Sequence, residues 1–187
     1  EGYDISHMGG TNVVASMVVF TNGVSDRAEY RKFKARLQQN DDYTNIYETL
    51  LRRLSPKNLG AWGMPDLLLI DGGKGQLESA IKTCQERGVN VPVISIAKRE
   101  EEMIVHATNS QVHTAYLQEL ATRPSEGIFV ERSGAFFVVN LHPGQRNAGS
   151  HSKNLRGSAQ VYPHTDVVKL FQRIRDESHR FAVSYHT

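Results

Sequence analysis

The run Leu67-Leu68-Leu69-Ile70-Asp71-Gly72-Gly73-Lys74-Gly75-Gln76-Leu77 constrains this chain more than any other stretch. A short, continuous apolar segment bounded by Pro65 and Gly72 is the pattern of a central strand covered on both faces. The glycines open a turn, and Leu77, Ala80, Ile81 and Cys84 then recur at helical spacing up to Gly88, which suits a helix terminus. Strand, turn and buried helix in succession call for a layered α/β architecture. Asp71 is the anomaly. An acid closing a strand of Leu and Ile is costly to bury unless a cation or a hydrogen-bond network pairs with it. A second acid, Asp4, stands in the opening strand Gly2-Tyr3-Asp4-Ile5-Ser6-His7, and two carboxylates on strands suggest a hard-metal site.

Upstream, residues 13–20 form a β-branched apolar run, followed by Thr21-Asn22-Gly23 and by 27–33, where Tyr30 and Phe33 interrupt a charged stretch. Asn-Gly between strands is a hairpin signal, so these segments and the Asp4 strand predict an antiparallel three-strand meander. Asp41 can cap a helix whose apolar positions Tyr43, Ile46, Tyr47, Leu50, Leu51 and Leu54 follow the i, i+3, i+4, i+7 rule and stop at Ser55-Pro56. Residues 91–97, with Pro92 near the start, read as another buried strand. The order is βββαβαβ. From about 106 to 164 periodicity is weak, except where 127–130 and 136–139 flank Arg132-Ser133-Gly134 as a hairpin. Residues 144–158 are polar, rich in Gly and Ser, and suit a mobile loop. A last helix is expected from Thr165 or Asp166, with Val167, Leu170, Phe171, Ile174 and Phe181 on one face and Arg175, Asp176 and His179 on a neighbouring one.

At 187 residues and 39% hydrophobic content the chain fits one domain with a real core. No apolar run approaches the roughly 18 residues a membrane span requires. With no signal peptide before the first strand, a cytoplasmic location is expected. Cys84, the single cysteine, excludes intrachain disulfides and cysteine-cluster zinc sites, and reads as buried filler. A net charge of +2 is too mild to identify a nucleic-acid partner, although basic residues cluster at Arg31, Lys32, Lys34 and Arg36, at Arg52 and Arg53, and at Arg173, Arg175 and Arg180. The absence of an initiator Met and the early active-site strand suggest a piece of a longer protein.

Three antiparallel strands followed by alternating helices and strands is the order of the ribonuclease H-like fold, a mixed sheet whose nucleases carry acids on the first strand and on the strand after the first helix. Asp4 and Asp71 occupy those positions. Neighbouring strands lie about 4.8 Å apart, so such carboxylates can share one divalent ion or bridge a pair. Together with Asp41-Asp42-Tyr43, Ala97-Lys98-Arg99-Glu100-Glu101-Glu102 and Gln172-Arg173-Ile174-Arg175-Asp176-Glu177-Ser178-His179-Arg180-Phe181, the two strand motifs resemble the C-terminal endonuclease domain of UvrC, the incision subunit of bacterial nucleotide excision repair. The resemblance covers 1–102 and about 163–186. It implies a single domain over 1–187 with an insertion within about 106–162.

The resemblance further implies a metal-dependent DNA endonuclease that hydrolyses a phosphodiester bond on the 5′ side of a lesion with Mg²⁺ or Mn²⁺, leaving a 5′-phosphate and a 3′-hydroxyl. Its catalytic residues carry over onto Asp4, Asp42, Asp71 and His179. Asp4 and Asp71 would hold the ion, Asp42 would ligate it or orient a water, and His179 would orient or deprotonate the water or act on the leaving oxygen. The implied partners are damaged double-stranded DNA and UvrB, with UvrA acting upstream, reached through parts of the full protein outside this chain. Lys74, Lys98 and Arg99 are candidates for phosphate contact.

Each assignment has a plainer rival: helix capping for Asp42, although Asp41 is better placed for it, and a surface network with Arg, Asp and Glu for His179. Glu100 to Glu102 read as a solvated charge run in preference to an outer-shell acid. A nucleotide-binding P-loop at Gly72-Gly73-Lys74-Gly75 is disfavoured because Gln76 stands where the hydroxyl belongs. His106, His113, His142, His151 and His164 follow no metal-ligand spacing, and Trp62 reads as a packing plug. The alternative functions are a catalytically silent DNA-binding or scaffold domain that keeps the fold, or another ribonuclease H-like nuclease.

Overall fold

The computed structural model describes residues 1–8, 12–35, 41–97, 102–123, 129–140 and 165–184. Its strands are β1 (Gly2–Met8), β2 (Asn12–Val18), β3 (Phe20–Thr21), β4 (Val24–Ser25), β5 (Arg31–Lys34), β6 (Leu68–Asp71), β7 (Val93–Ala97), β8 (Glu102–His106), β9 (Phe129–Ser133) and β10 (Phe136–Asn140). The helices are α1 (Asp42–Arg53), α2 (Pro56–Trp62), α3 (Lys74–Arg87), α4 (Ala115–Thr122) and α5 (Thr165–Val183). All strands but β3 and β4 join one mixed sheet in the order β5-β2-β1-β6-β7-β8-β10-β9. The β5-β2-β1 meander is antiparallel, and β1, β6 and β7 run parallel. This is the ribonuclease H-like order that the sequence predicts.

Strand alternation assigns two faces. Tyr3, Ala15, Met17, Leu68 and Ile70 meet Ile46 and Leu50 of α1 and Leu77, Ala80, Ile81 and Cys84 of α3. On the other face Val18, Leu69, Ile94, Ile96 and Val105 meet Leu170, Phe171, Ile174 and Phe181 of α5. At the β10–β9 end, Val130, Phe137 and Val139 pack on Leu120 of α4. Fully buried side chains such as Ile46, Leu50 and Leu77 each contribute about 1.5–3 kcal/mol of transfer free energy.

Local signals act as expected at several ends. Asp41 Oδ1 accepts from Tyr43 N at 3.0 Å and opens α1, and Gly88 closes α3 at φ 63°. Cys84 is buried, and burial pushes its thiol pKa up to about 11. Trp62 packs against the core edge-on to Phe33. The hairpin around Arg132-Ser133-Gly134 forms as β9 and β10.

Other expectations are corrected. Asn22 and Gly23 do adopt positive φ, but their turn closes the separate β3–β4 ribbon rather than two strands of the main sheet. Arg27–Glu29 is a 3-10 turn with no buried residue, so the strand expected over 27–33 begins only at Arg31. Ser55-Pro56 ends α1 and also starts α2, with Ser55 capping Asn58 N. Glu102, read as part of a solvated run, is half-buried at the start of β8, where its backbone pairs with Ala97 and Asn140. Val167, expected on the buried stripe of α5, is exposed. Arg53, one of the clustered basic residues, is wholly buried, donating to Glu1 Oε1 at 2.6 Å and to Gly63 O at 2.9 Å. Lys98, Arg99 and the 144–158 loop lie outside the described residues.

Candidate active site

Asp4 reaches the α5 face because β1 alternates: Tyr3 and Ile5 pack toward α1 and α3, so Gly2 and Asp4 turn the other way. Gly2 is what lets α5 settle there. A Cβ on it would lie 2.5 Å from Ile174 Cγ2 and 3.1 Å from Val18 Cγ2, so α5 rests almost on the β1 backbone. On β6, Leu68 and Ile70 fill the α1/α3 core while Leu69 turns to α5, and Asp71 follows Leu69. The parallel register Tyr3↔Ile70 then brings Asp4 level with Asp71.

His179 comes from α5, and its Nδ1 lies 3.1 Å from Asp4 Oδ2. Asp4 is 4% exposed, whereas the His179 side chain is 55% exposed, so the imidazole covers a buried carboxylate and still faces outward. Ligand atoms of Asp4, Asp71 and His179 all lie within 4.8 Å of one another. Two carboxylates forced this close repel, and a divalent cation would relieve the repulsion. The two carboxylate oxygens are hard donors that suit a divalent cation, and the imidazole nitrogen stands beside them.

Asp42 is not in this group: it begins α1, which packs on the opposite face of the sheet. Asp41, not Asp42, does the capping. Its carboxyl lies below the usual range because Thr44 Oγ1 donates to it at 2.8 Å and Tyr43 N also donates. The α1 and α3 N-termini meet where the Tyr43 ring covers Gly75, at which a Cβ would lie 2.3 Å from Tyr43 Cε1. Lys74 Nζ donates to Ser133 Oγ at 2.7 Å and lies over the Phe136 ring, which ties α3 to the β9–β10 hairpin. Gln76, the residue that spoils the P-loop pattern, accepts from Gly73 N through Oε1 at 3.0 Å. The glycine turn is thus capped by its own helix.

The segment carrying His179 is clamped by residues to which the sequence assigned no such role. Tyr30 OH donates to Glu177 Oε1 at 3.1 Å, and Arg180 donates to both Glu177 oxygens at 2.6 Å. Arg180 first, and Tyr30 with it, holds the Glu177 carboxyl below its usual pKa, while burial and Glu177 push Tyr30 up to about 12. The Tyr30 ring meets Phe181 edge-on at 5.1 Å, and Lys32 Nζ lies 4.5 Å over Phe181. The i, i+3 spacing of Glu177 and Arg180 was a legible signal. The partnership with Tyr30 was not.

The model of the family described as the UvrC RNase H endonuclease domain matches residues 1–183. The UvrABC system protein C of Deinococcus radiodurans is 36% identical over the whole chain, which covers 25% of that protein. The same-named protein of Chlorobium chlorochromatii is 34% identical, again over the whole chain and 22% of its own length. The chain therefore spans about a quarter of the length of these relatives. Among solved structures, Ciona intestinalis endonuclease V in complex with DNA aligns over 74% of this chain and 69% of that one, at 13% identity and a TM-score of 0.41, too loose to carry an argument. With the match running from the first strand through the helix that bears His179, the chain belongs to the UvrC RNase H endonuclease domain family.

Proposed function

We propose that this domain is a divalent-metal-dependent DNA endonuclease that makes the cut on the 5′ side of a lesion during nucleotide excision repair. The observation that carries the reading is the convergence of Asp4, Asp71 and His179 within 4.8 Å. Asp4 and Asp71 would hold Mg²⁺ or Mn²⁺, while Asp42, outside their cluster, has a role assigned by the family resemblance alone. When bound, the ion polarises the scissile phosphate and lowers the pKa of a coordinated water. His179, held against Asp4 through Nδ1, orients that water or moves its proton through the other ring nitrogen. Burial of Asp4 beneath α5 excludes bulk solvent from one side of the site and strengthens its electrostatics.

Damaged duplex DNA and UvrB are the partners the family name implies, reached through the remainder of a longer protein. Lys74, Lys98 and Arg99 stay candidates for phosphate contact, with Lys74 also bridging to Ser133. The whole of 1–187 is read as one domain, with an insertion within about 106–162, acting in the cytoplasm. No helix among the described residues is long and apolar enough to cross a membrane.

The test is incision of a lesion-bearing duplex carrying bound UvrB, with Mg²⁺ or Mn²⁺, by the longer protein that contains this domain, comparing the unsubstituted form with Asp71→Asn. Incision 5′ of the lesion is expected, with a drop of more than about a hundredfold in the variant and loss on chelation. Equal incision by both would overturn the metal-site reading. No 5′ incision by the unsubstituted longer protein would favour a silent DNA-binding scaffold.

A further inference from the structure

Ser16 on β2 is fully buried, and its Oγ has no hydrogen-bond partner among the described residues. Several other buried hydroxyls are satisfied: Ser178 donates to Arg175 O at 2.7 Å, Thr83 donates to Ser79 O at 2.9 Å, and Ser110 accepts from His106 N. A buried hydroxyl left unmatched is destabilising and calls for an explanation. The register supplies one. Ser16 is the direct cross-strand partner of Asp4, so the two side chains share a face, with Cβ atoms about 4.5–5.5 Å apart. Ser95, the other enclosed serine with an unmatched Oγ, makes a useful contrast. Its register partners are Ile70 and Ile104 in the apolar α1/α3 core, far in chemistry from any acid.

We propose that Ser16 is a positioning residue for Asp4: its hydroxyl donates to the Asp4 carboxylate when that carboxylate holds a divalent cation, fixing the rotamer that presents oxygen to the ion. The inference rests on the metal-site reading above and extends it to a residue behind the ligands. One χ1 step between staggered wells swings Oγ along the row from Ser16 toward Asp4. His179 meets the same carboxylate at Oδ2, so the two neighbours approach the Asp4 side chain from the helix and from the sheet. A donor behind a metal-binding carboxylate orients it, and losing such a donor commonly weakens metal binding by about 10–100-fold.

The experiment is titration of the chain with Mn²⁺ alone, followed by calorimetry or electron paramagnetic resonance, alongside thermal unfolding of the metal-free forms. Ser16→Ala is expected to weaken Mn²⁺ binding at least about tenfold without lowering the melting temperature, because the hydroxyl has no partner to lose among the described residues. Ser16→Thr keeps the donor and should bind within about threefold of the intact chain. Ser16→Cys fills the same space with a weak donor and should lose affinity as Ser16→Ala does, which guards against an overpacked threonine. Unchanged affinity in Ser16→Ala or Ser16→Cys overturns the inference while leaving the metal reading intact. So does a fall in melting temperature that tracks the affinity loss. Failure of the intact chain to bind Mn²⁺ overturns the metal reading and this inference with it.

Discussion

Gly2 sets how closely α5 can approach the sheet, and so whether His179 reaches Asp4. The clash a Cβ would make falls on Ile174 Cγ2, a branched methyl near the helix backbone, which cannot swing aside as a long side chain would. Gly2→Ala is therefore expected to cost about 1–3 kcal/mol by overpacking, measured by urea denaturation. It should also weaken Mn²⁺ binding, because α5 must retreat from β1. Loss of stability with unchanged metal affinity would show that His179 is not needed to hold the ion. Gly75 looks similar but differs in kind, since its neighbour is the outer edge of a half-exposed tyrosine ring, free to rotate. At this scale Asp71 was legible from its place at the end of an apolar strand. The need for glycine at position 2 was not, because it arises from a helix far away in the chain.

Helix α5 is the element that completes the site, and its grip on the sheet depends on pH. Glu177 has its carboxyl pKa lowered, by the Arg180 hydrogen bond first and then by Tyr30. A folded-state value below the unfolded one stabilises the fold above the ordinary Glu pKa, and this is lost as pH falls through the folded value. Glu177→Gln is thus expected to be less stable than the intact chain by about 1 kcal/mol at neutral pH, with the difference vanishing in acid. Melting temperatures of both forms between about pH 3 and 8 check this, and a constant difference would dissociate Glu177 from the clamp. Tyr30 works in the opposite sense. Its pKa is raised to about 12, so its contribution is complete below the usual tyrosine value near 10 and fades as pH climbs toward 12. Among the elements, α1, α3, β6 and the β9–β10 hairpin could be read from periodicity and end signals. The short α2 and α4 could not, because few of their residues are buried and their apolar stripes are correspondingly weak.

Across the whole molecule, the sheet joins the meander that carries Asp4 to the hairpin at the opposite edge, and the question is whether that hairpin folds with the rest. Phe137 on β10 is 1% exposed, while the single tryptophan, Trp62, packs on Phe33 of β5 at the other edge. Phe137→Ala should cost about 3–5 kcal/mol. If the chain unfolds as one unit, the Trp62 fluorescence midpoint in urea will fall by the full amount with the slope unchanged. A tryptophan transition that stays put would mean that the hairpin and α4 unfold separately.

What the sequence by itself determined lies within a few residues of its cause: the Asp41 cap, the Gly88 stop, the Asn22-Gly23 turn, and the alternation that aims Asp4 away from Tyr3. Backbone geometry and side-chain periodicity act at that range. The resemblance to a nuclease family added which acids and which histidine to watch. Only the tertiary structure decided that the Asn-Gly turn serves a side ribbon, that Arg53 lies buried against Glu1, that Tyr30 holds Glu177, and that Ser16 stands beside Asp4. His179 and Asp4 are 175 positions apart, and their meeting follows from Ile174 settling on Gly2. Such pairings depend on which apolar faces bury one another over the entire sheet, a balance summed over many distant residues that no local pattern contains.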